Sequence, residues 1–459
     1  MKTILKQTAI AVAVVIVLGS IASHVSYADS RSADPAARVV INEARKIGAF
    51  SAIELSGPYD VVVTAQGANT VELSGPRARL AELETVVVGD TLVVRPLARH
   101  NIVFGFGHHQ AERVVVHVTA ATLKSLKLDG SGDVTLEQAN GAQLSIEASG
   151  SGDLRASGSV GELTVRSHGS GDLDLQRLKT AKLDLRMGGP GEVRVAGVSE
   201  EMKAEVSGSG ELEATELNLK KMSLRMRGPG DVTLAGSSAE LDAEVSGSGN
   251  LQACSLQVGA VSAHLRGPGD ACMGGKITRF DGELQGSGDM TVHGLEAGEA
   301  HLVIGGPGSA TLDGSVTALT TQMSGSGDLK ASALRTASAT LRSRGPGEIE
   351  LGTVSDTLDA ELHGSGELDA RLEGKRLHLL MTGPGDARID GSVDTVNAEL
   401  SGSGSLEAQG LVAASAELDV RGPGTAVVNV KPHAKSGEAK AQQQRLVMVD
   451  RKGAHHSAQ

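Results

Sequence analysis

Three groupings of side chains in this sequence could do chemistry. The first is a row of acids. An Asp or Glu directly follows a Gly-Ser-Gly or Gly-Pro-Gly tripeptide at Asp133, Asp153, Asp172, Glu192, Glu211, Asp231, Asp270, Asp289, Asp328, Glu348, Glu367 and Asp386. Stacked carboxylates could hold calcium, which takes several oxygen ligands and binds along Gly-x-Gly-x-Asp β-rolls. The alternative is that each side chain accepts a hydrogen bond from turn N–H groups. The alternative fits better: the repeat is about twice the β-roll period, and Asn250, Ser309, Ser405 and Thr425 fill the same slot. The second grouping is His100, His108, His109 and His117 around Phe104-Gly105-Phe106-Gly107. Imidazoles so spaced could bind zinc or copper, although a Gly-rich hairpin tip with exposed histidines is the commoner arrangement. His455-His456 carries less weight. The third is Cys254 and Cys272, the only cysteines. An oxidising compartment permits a disulfide between them. Their expected diagonal spacing on neighbouring strands, about 7–8 Å, is long for one, so both the bridged and the free state stay open.

The elements that position these residues are set by a repeat. Gly-Ser-Gly or Gly-Pro-Gly returns every 19 or 20 residues from Gly130 to Gly422, giving 16 turns. So short and steady a period means a solenoid. Between turns the chain alternates apolar and other residues, as in Leu144-Ser145-Ile146-Glu147-Ala148. Period-2 alternation means strands with one buried face. Each unit offers two short strands and a third segment such as Leu217-Asn218-Leu219. Identical units stack in parallel, so the expected fold is an all-β, right-handed parallel β-helix of about 16 coils with a β-rich N-terminal capping region. At about 4.8 Å per coil the rod is on the order of 75 Å long.

The glycines should serve sharp corners, through positive φ or through crowding that only Gly tolerates. For Gly230, positive φ is the expectation. From Gly169 the middle residue of the turn alternates Ser and Pro, so the duplicated unit is about 39 residues, two coils. The inward position four before each turn alternates with it. It is small at Ala204, Ala243, Gly282, Ala360 and Ala398, and large at Leu224, Leu302, Leu341, Leu379 and Leu418; Ala263 breaks the pattern. Large layers over small ones can interdigitate. The neighbouring outward row reads Glu205, Arg225, Glu244, His264, Glu283, then Arg342 and Glu361. Opposite charges on adjacent coils stabilise pairing.

Lys2, Lys6, the apolar run Ala9–Leu18 and Ser26-Tyr27-Ala28 form a secretory signal, cut after Ala28. No cysteine near the cut offers a lipid attachment point. The formal net charge is −12, and removing the signal takes away Lys2 and Lys6 and no acid. That disfavours nucleic acid and anionic lipid as partners. With no Trp, 2 Tyr and 4 Phe, stacking platforms for sugars or single strands are also disfavoured. Residues 29–128 read as a β-rich N-terminal part, polar at first, with strands at Val61-Val62-Val63, Val71-Glu72-Leu73, Val86-Val87-Val88, Leu92-Val93-Val94 and Val114-Val115-Val116. Residues 129–430 are the solenoid. Residues 431–459 read as a disordered polar tail that blunts the last open strand edge; the competing expectation is end-to-end self-association through that edge.

An enzyme needs paired carboxylates or a basic group in a cleft. On a β-helix, loops that interrupt the coils build such a cleft. The unbroken spacing leaves no room for those loops, and the serines of the turns lack a strand-to-helix elbow. The sequence therefore offers no catalytic residue and no cofactor motif, and its metal-binding potential is left open.

The stretch Phe50-Ser51-Ala52-Ile53-Glu54-Leu55-Ser56-Gly57-Pro58-Tyr59-Asp60-Val61-Val62-Val63, the hairpin Gly89-Asp90-Thr91-Leu92 and the coil start Gly130-Ser131-Gly132-Asp133 resemble the bacterial head GIN domain, the "putative auto-transporter adhesin" family. The resemblance covers roughly residues 47–215 directly, and the later coils look like an extension by duplication. It implies an exported β-helical protein without established chemistry. No C-terminal barrel accompanies these coils, which favours the periplasm over autotransport to the surface. The function expected is a non-catalytic adhesive or scaffolding element of the cell envelope whose partner is an unknown envelope or surface component. The alternatives are a calcium-stabilised binding module and a polysaccharide-acting β-helix enzyme.

Overall fold

The chain is a parallel β-solenoid of about 16 turns. In the computed structural model the described residues are 39–97, 114–431 and 444–449; the segment expected to be a secretory signal and most of the expected tail lie outside them. Many coils are one ribbon of 14 or 15 residues, as in Leu212–Met226, Val232–Val245, Leu251–Leu265 and Met290–Ile304, while others stay split, as in Ala271–Gly274 and Arg279–Leu284. In the ribbon coils the two or three short strands expected are thus merged. What separates them is a slip in register, for example between Ala214 and Leu217 and between Thr233 and Ala235. In many coils the bend sits eight places after the turn's first Gly. There φ is +127° at Gly236, +77° at Gly294 and +119° at Gly314, and +52° at Glu216.

The inward rows stack as the size alternation requires. Ala204, Leu224, Ala243 and Ala263 pair in sequence, followed by Gly282 and Leu302. Phe280 lies beside Gly282, and a Cβ there would come within 2.6 Å of the Phe280 ring. The ring occupies the space that a side chain at position 282 would need. The outward row also stacks: Arg225 reaches Glu244 at 3.3 Å, His264 reaches Glu283 at 3.0 Å and Arg342 reaches Glu361 at 3.4 Å. Such part-exposed pairs each contribute at most about 1 kcal/mol.

The turn glycines are demanded by stacking, which corrects the positive-φ reading of Gly230. Among the turns' first glycines, positive φ occurs at Gly383, Gly402 and Gly422. At Gly230 a Cβ would overlap the carbonyl oxygen of Gly210 in the coil below, and the same overlap recurs from turn to turn. The backbones come this close because they are hydrogen-bonded: the Gly230 N–H donates to Gly208 O at 3.1 Å and the Gly249 N–H to Gly228 O at 3.3 Å.

The solenoid starts earlier than residue 129. Ala52–Leu55 pairs in parallel with Ser125–Leu128, and Val61–Thr64 with Val134–Glu137. Residues 52–64 are therefore the turn and flanking strands of an earlier coil, whose turn reads Gly57-Pro58-Tyr59. Against its other face lie Thr91–Pro96 and Val115–Thr119, also parallel. No turn stacks beneath Tyr59 among the described residues, so the third turn position there need not be Gly. The outermost layer is antiparallel: Leu83–Val88 on Thr91–Pro96, Thr70–Pro76 on Val115–Thr119, and Val40–Arg45 on Thr70–Pro76. Antiparallel strands end the parallel stack and cover its first edge. The far end is closed likewise. Gln444–Val449 forms a strand antiparallel to Thr425–Val430, where the sequence suggested only disorder. The polar composition of the tail hid Leu446-Val447-Met448-Val449, four apolar residues in a row.

Candidate functional site

The acidic row does structural work. Asp133, Asp153 and Asp172 each place Oδ1 to accept the backbone N–H of the next coil's slot residue, at 3.2, 3.0 and 2.9 Å. Asp231, Asp270, Asp289, Asp328 and Asp386 do the same at 2.7–3.1 Å. Asn250 does it with an amide oxygen, at 3.0 Å to the Asp270 N–H. The acceptor, not the charge, is the common feature, which explains why Asn shares the slot. The donor is in the following coil rather than in the residue's own turn. Glutamates are one methylene too long for this bond; Glu192 pairs with Arg194 and Glu367 with Arg388 instead.

Of the histidine grouping, His100, His108 and His109 lie outside the described residues, as do His455 and His456. His117 is exposed on Val115–Thr119, between Val62 and Glu72 of the flanking strands.

A groove of about 550 Å³ runs over the first coils beside Thr122, Lys124, Asn140, Gln143, Ser145, Glu162 and Thr164. Glu162 is its one carboxylate. It accepts a hydrogen bond from Gln143 at 2.9 Å and lies 3.7 Å from Lys182 Nζ. A single carboxylate held this way lacks the partner that glycoside hydrolysis requires.

The chemistry-bearing cluster is elsewhere, in the middle of the rod. Cys254 and Cys272 form a disulfide with Cα atoms 5.2 Å apart, inside the usual range for a bridge. The flat-ladder spacing expected from sequence does not apply, because the chain bends at Cys254. Gln252 pairs with Cys272 and Ala253 with Met273, then the register slips to Gln257 against Gly274. A ring nitrogen of His293, in the next coil, lies within 4.8 Å of both sulfurs. Among the described residues this is the one grouping of three potential metal-ligand side chains that close. The coil after that supplies Asp313, whose Oδ2 is 2.5 Å from His293 Nδ1 and whose Oδ1 accepts the Gly294 N–H at 2.8 Å. Burial works to raise the Asp313 pKa, but the hydrogen bonds from His293 and Gly294 outweigh it and hold the carboxyl below its ordinary value.

Sequence reasoning found the two cysteines and missed His293 and Asp313. The signal was present. Cys254, His293 and Asp313 each stand seven places after their turn's first Gly (Gly247, Gly286 and Gly306), so the solenoid stacks them on one line.

Among the described residues no helix is long and apolar enough to cross a membrane. No curated protein matches the chain. The chain is similar to several solved structures. One is described as a putative adhesin from Bacteroides fragilis NCTC 9343, with 13% identity over 80% of this chain and 96% of that one, TM-score 0.20. Another is described as a putative lipid binding protein from Parabacteroides distasonis ATCC 8503, with 16% identity over 83% and 96%, TM-score 0.23. A third, described as a putative adhesin from the same organism, has 14% identity over 81% and 97%, TM-score 0.26. The family model described as "putative auto-transporter adhesin, head GIN domain" matches at residues 49–216, 199–274, 271–370 and 353–439. The successive matches follow the duplicated coils from the first one at residues 52–64 to the last, and the chain belongs to the head GIN domain family.

Proposed function

We propose that this protein is an exported, non-catalytic rod that acts as an adhesive or scaffolding element of the bacterial cell envelope. The observation that carries the reading is the uniformity of the coils. From Gly130 to Gly422 the turns recur every 19 or 20 residues without an interrupting loop, so among the described residues no wall rises from these coils to exclude water around a substrate. Water exclusion and converging polar groups are what an active site needs. A long repeated surface suits a different task, many weak contacts summed over length. The family description supports the same direction. The signal-like residues 1–28 support export. The adhesive contacts are assigned to the repeated outward faces of the coils rather than to one pocket.

The test uses the mature chain, residues 29–459, immobilised on a sensor and exposed to envelope fractions and to a glycan panel. The expected result is saturable binding to an envelope fraction that weakens gradually with salt, and no glycan cleavage. Turnover on any glycan, or no binding to any envelope fraction, would contradict the assignment.

A further inference from the structure

We propose that Cys254, Cys272 and His293, once their disulfide is opened, bind one zinc-class divalent cation through two thiolates and an imidazole, with Asp313 as a positioning residue. The solenoid puts the three donors on consecutive coils. Cys254 and His293 are exposed and Cys272 is half-buried, and the three ligand atoms already lie within 4.8 Å of one another. A tetrahedral ion with bonds of about 2.3 Å to sulfur and about 2.0 Å to nitrogen needs donors roughly 3.5–4 Å apart. Side-chain rotation at an exposed site covers the difference. Cys272 is paired on both sides, with Gln252 and Thr291, and Cys254 and His293 directly follow the ladder-paired Ala253 and Val292, so the donors are brought together before the ion arrives.

His293 is prepared for this role by Asp313. A metal-binding histidine usually gives its other ring N–H to a carboxylate, which fixes the tautomer and ring orientation. Here Nδ1 faces Asp313 Oδ2 at 2.5 Å, which leaves Nε2 with a lone pair for the ion. Asp313 is itself pinned by the Gly294 N–H at 2.8 Å. Two thiolates and one imidazole are a borderline-soft donor set, suited to zinc rather than to calcium or magnesium. Three protein donors leave the fourth tetrahedral position to water or to a ligand from a partner.

The chemistry is gated by redox state. A dithiol reductant opens the bridge by exchange: its thiolate attacks one sulfur, a mixed disulfide forms, and its second thiol releases the protein dithiol as the reductant becomes a disulfide. Two electrons and two protons pass to Cys254 and Cys272. Binding of the cation then expels the two thiol protons. Exchange with an oxidised dithiol runs the sequence backwards: the two protein thiolates reduce that disulfide to a dithiol, the Cys254–Cys272 bond re-forms and the ion is released. The exposed edge of the pair makes the sulfurs accessible to such exchange.

Cobalt(II) alone is the probe, because thiolate–cobalt charge transfer in the near ultraviolet can arise only from these two cysteines. The mature chain is reduced with a water-soluble phosphine under anaerobic conditions, and the phosphine is removed. One equivalent of cobalt should then give the charge-transfer band and the visible bands of a tetrahedral site, and zinc should displace it. The oxidised chain should give neither. Cys254→Ser should abolish the two-thiolate spectrum. His293→Ala should weaken cobalt about 100-fold or more, and Asp313→Asn about 10- to 100-fold, with far-ultraviolet circular dichroism matching wild type. Reduced wild type that shows no charge-transfer band would overturn the proposal, and this comparison needs no variant. Affinity unchanged in His293→Ala would overturn it as well.

Discussion

Replacing Gly230 by Ala should open the rod locally, and the size of the effect can be worked from the turn stack. The added Cβ would overlap the carbonyl oxygen of Gly210, which is backbone and cannot rotate away. Either the turn shifts outward or the two coils separate. Overpacking of this kind costs about 1–3 kcal/mol. Separation also weakens the bonds from the Gly230 N–H to Gly208 O, 3.1 Å, and from the Arg227 N–H to Val206 O, 2.8 Å, each worth about 1 kcal/mol. A total of about 2–4 kcal/mol is expected, a rise of roughly 30- to 1000-fold in local opening. The assay is amide hydrogen exchange read on peptides spanning residues 205–250, because a repeat array can open locally without global unfolding. The control is Gly298→Ala, where a Cβ would meet nothing within 4 Å and φ is ordinary. It should leave protection unchanged or slightly raised. Equal protection in the two variants would refute the stacking argument.

Other outcomes follow from the same packing. Truncation after Val430 removes the strand Gln444–Val449 and bares the edge of Thr425–Val430; the shortened rod should self-associate in light scattering while the full mature chain stays monomeric. Asp270→Asn keeps the acceptor for the Asp289 N–H and should be nearly silent, whereas Asp270→Ala leaves that amide unpaired at a cost of about 1–2 kcal/mol, and thermal melting of either should be the same in calcium and in chelator. Gly282→Ala crowds the Phe280 ring and should cost about 1–3 kcal/mol, most of it recovered when Phe280→Leu is added, a coupling that a double-mutant cycle in urea would read.

The turns and the buried rows were legible in the sequence because each coil sees the same environment, so one physical demand is written repeatedly. Gly at the stacked turns, the small–large alternation at Ala204, Leu224 and Ala243, and the Glu205–Arg225–Glu244 row could all be read that way. What happens once could not. Tyr59 stands in a turn with no described turn beneath it, so the first coil lacks its marker and the repeat reads as beginning at residue 129. The antiparallel caps pair in an order that alternation along the chain does not encode. The bend at Cys254 is a property of the coil corner, and without it the two cysteines look too far apart to bridge. His293 and Asp313 carry no local motif; only their shared distance from the turn glycines joins them to Cys254.

The most direct test of the adhesive rod is deletion of one two-coil unit, residues 364–401, with envelope binding measured on the same sensor. The cut joins two equivalent turns and preserves packing: Ala360, which faces Leu379, would face Leu418 instead, another large residue. If the contacts are spread along the coils, the shortened rod should fold, show the same strand signature and bind the same fraction with modestly lower avidity. If the shortened rod folds and binding is abolished, recognition resides in a single site within those coils, and the account of a distributed adhesive surface is wrong.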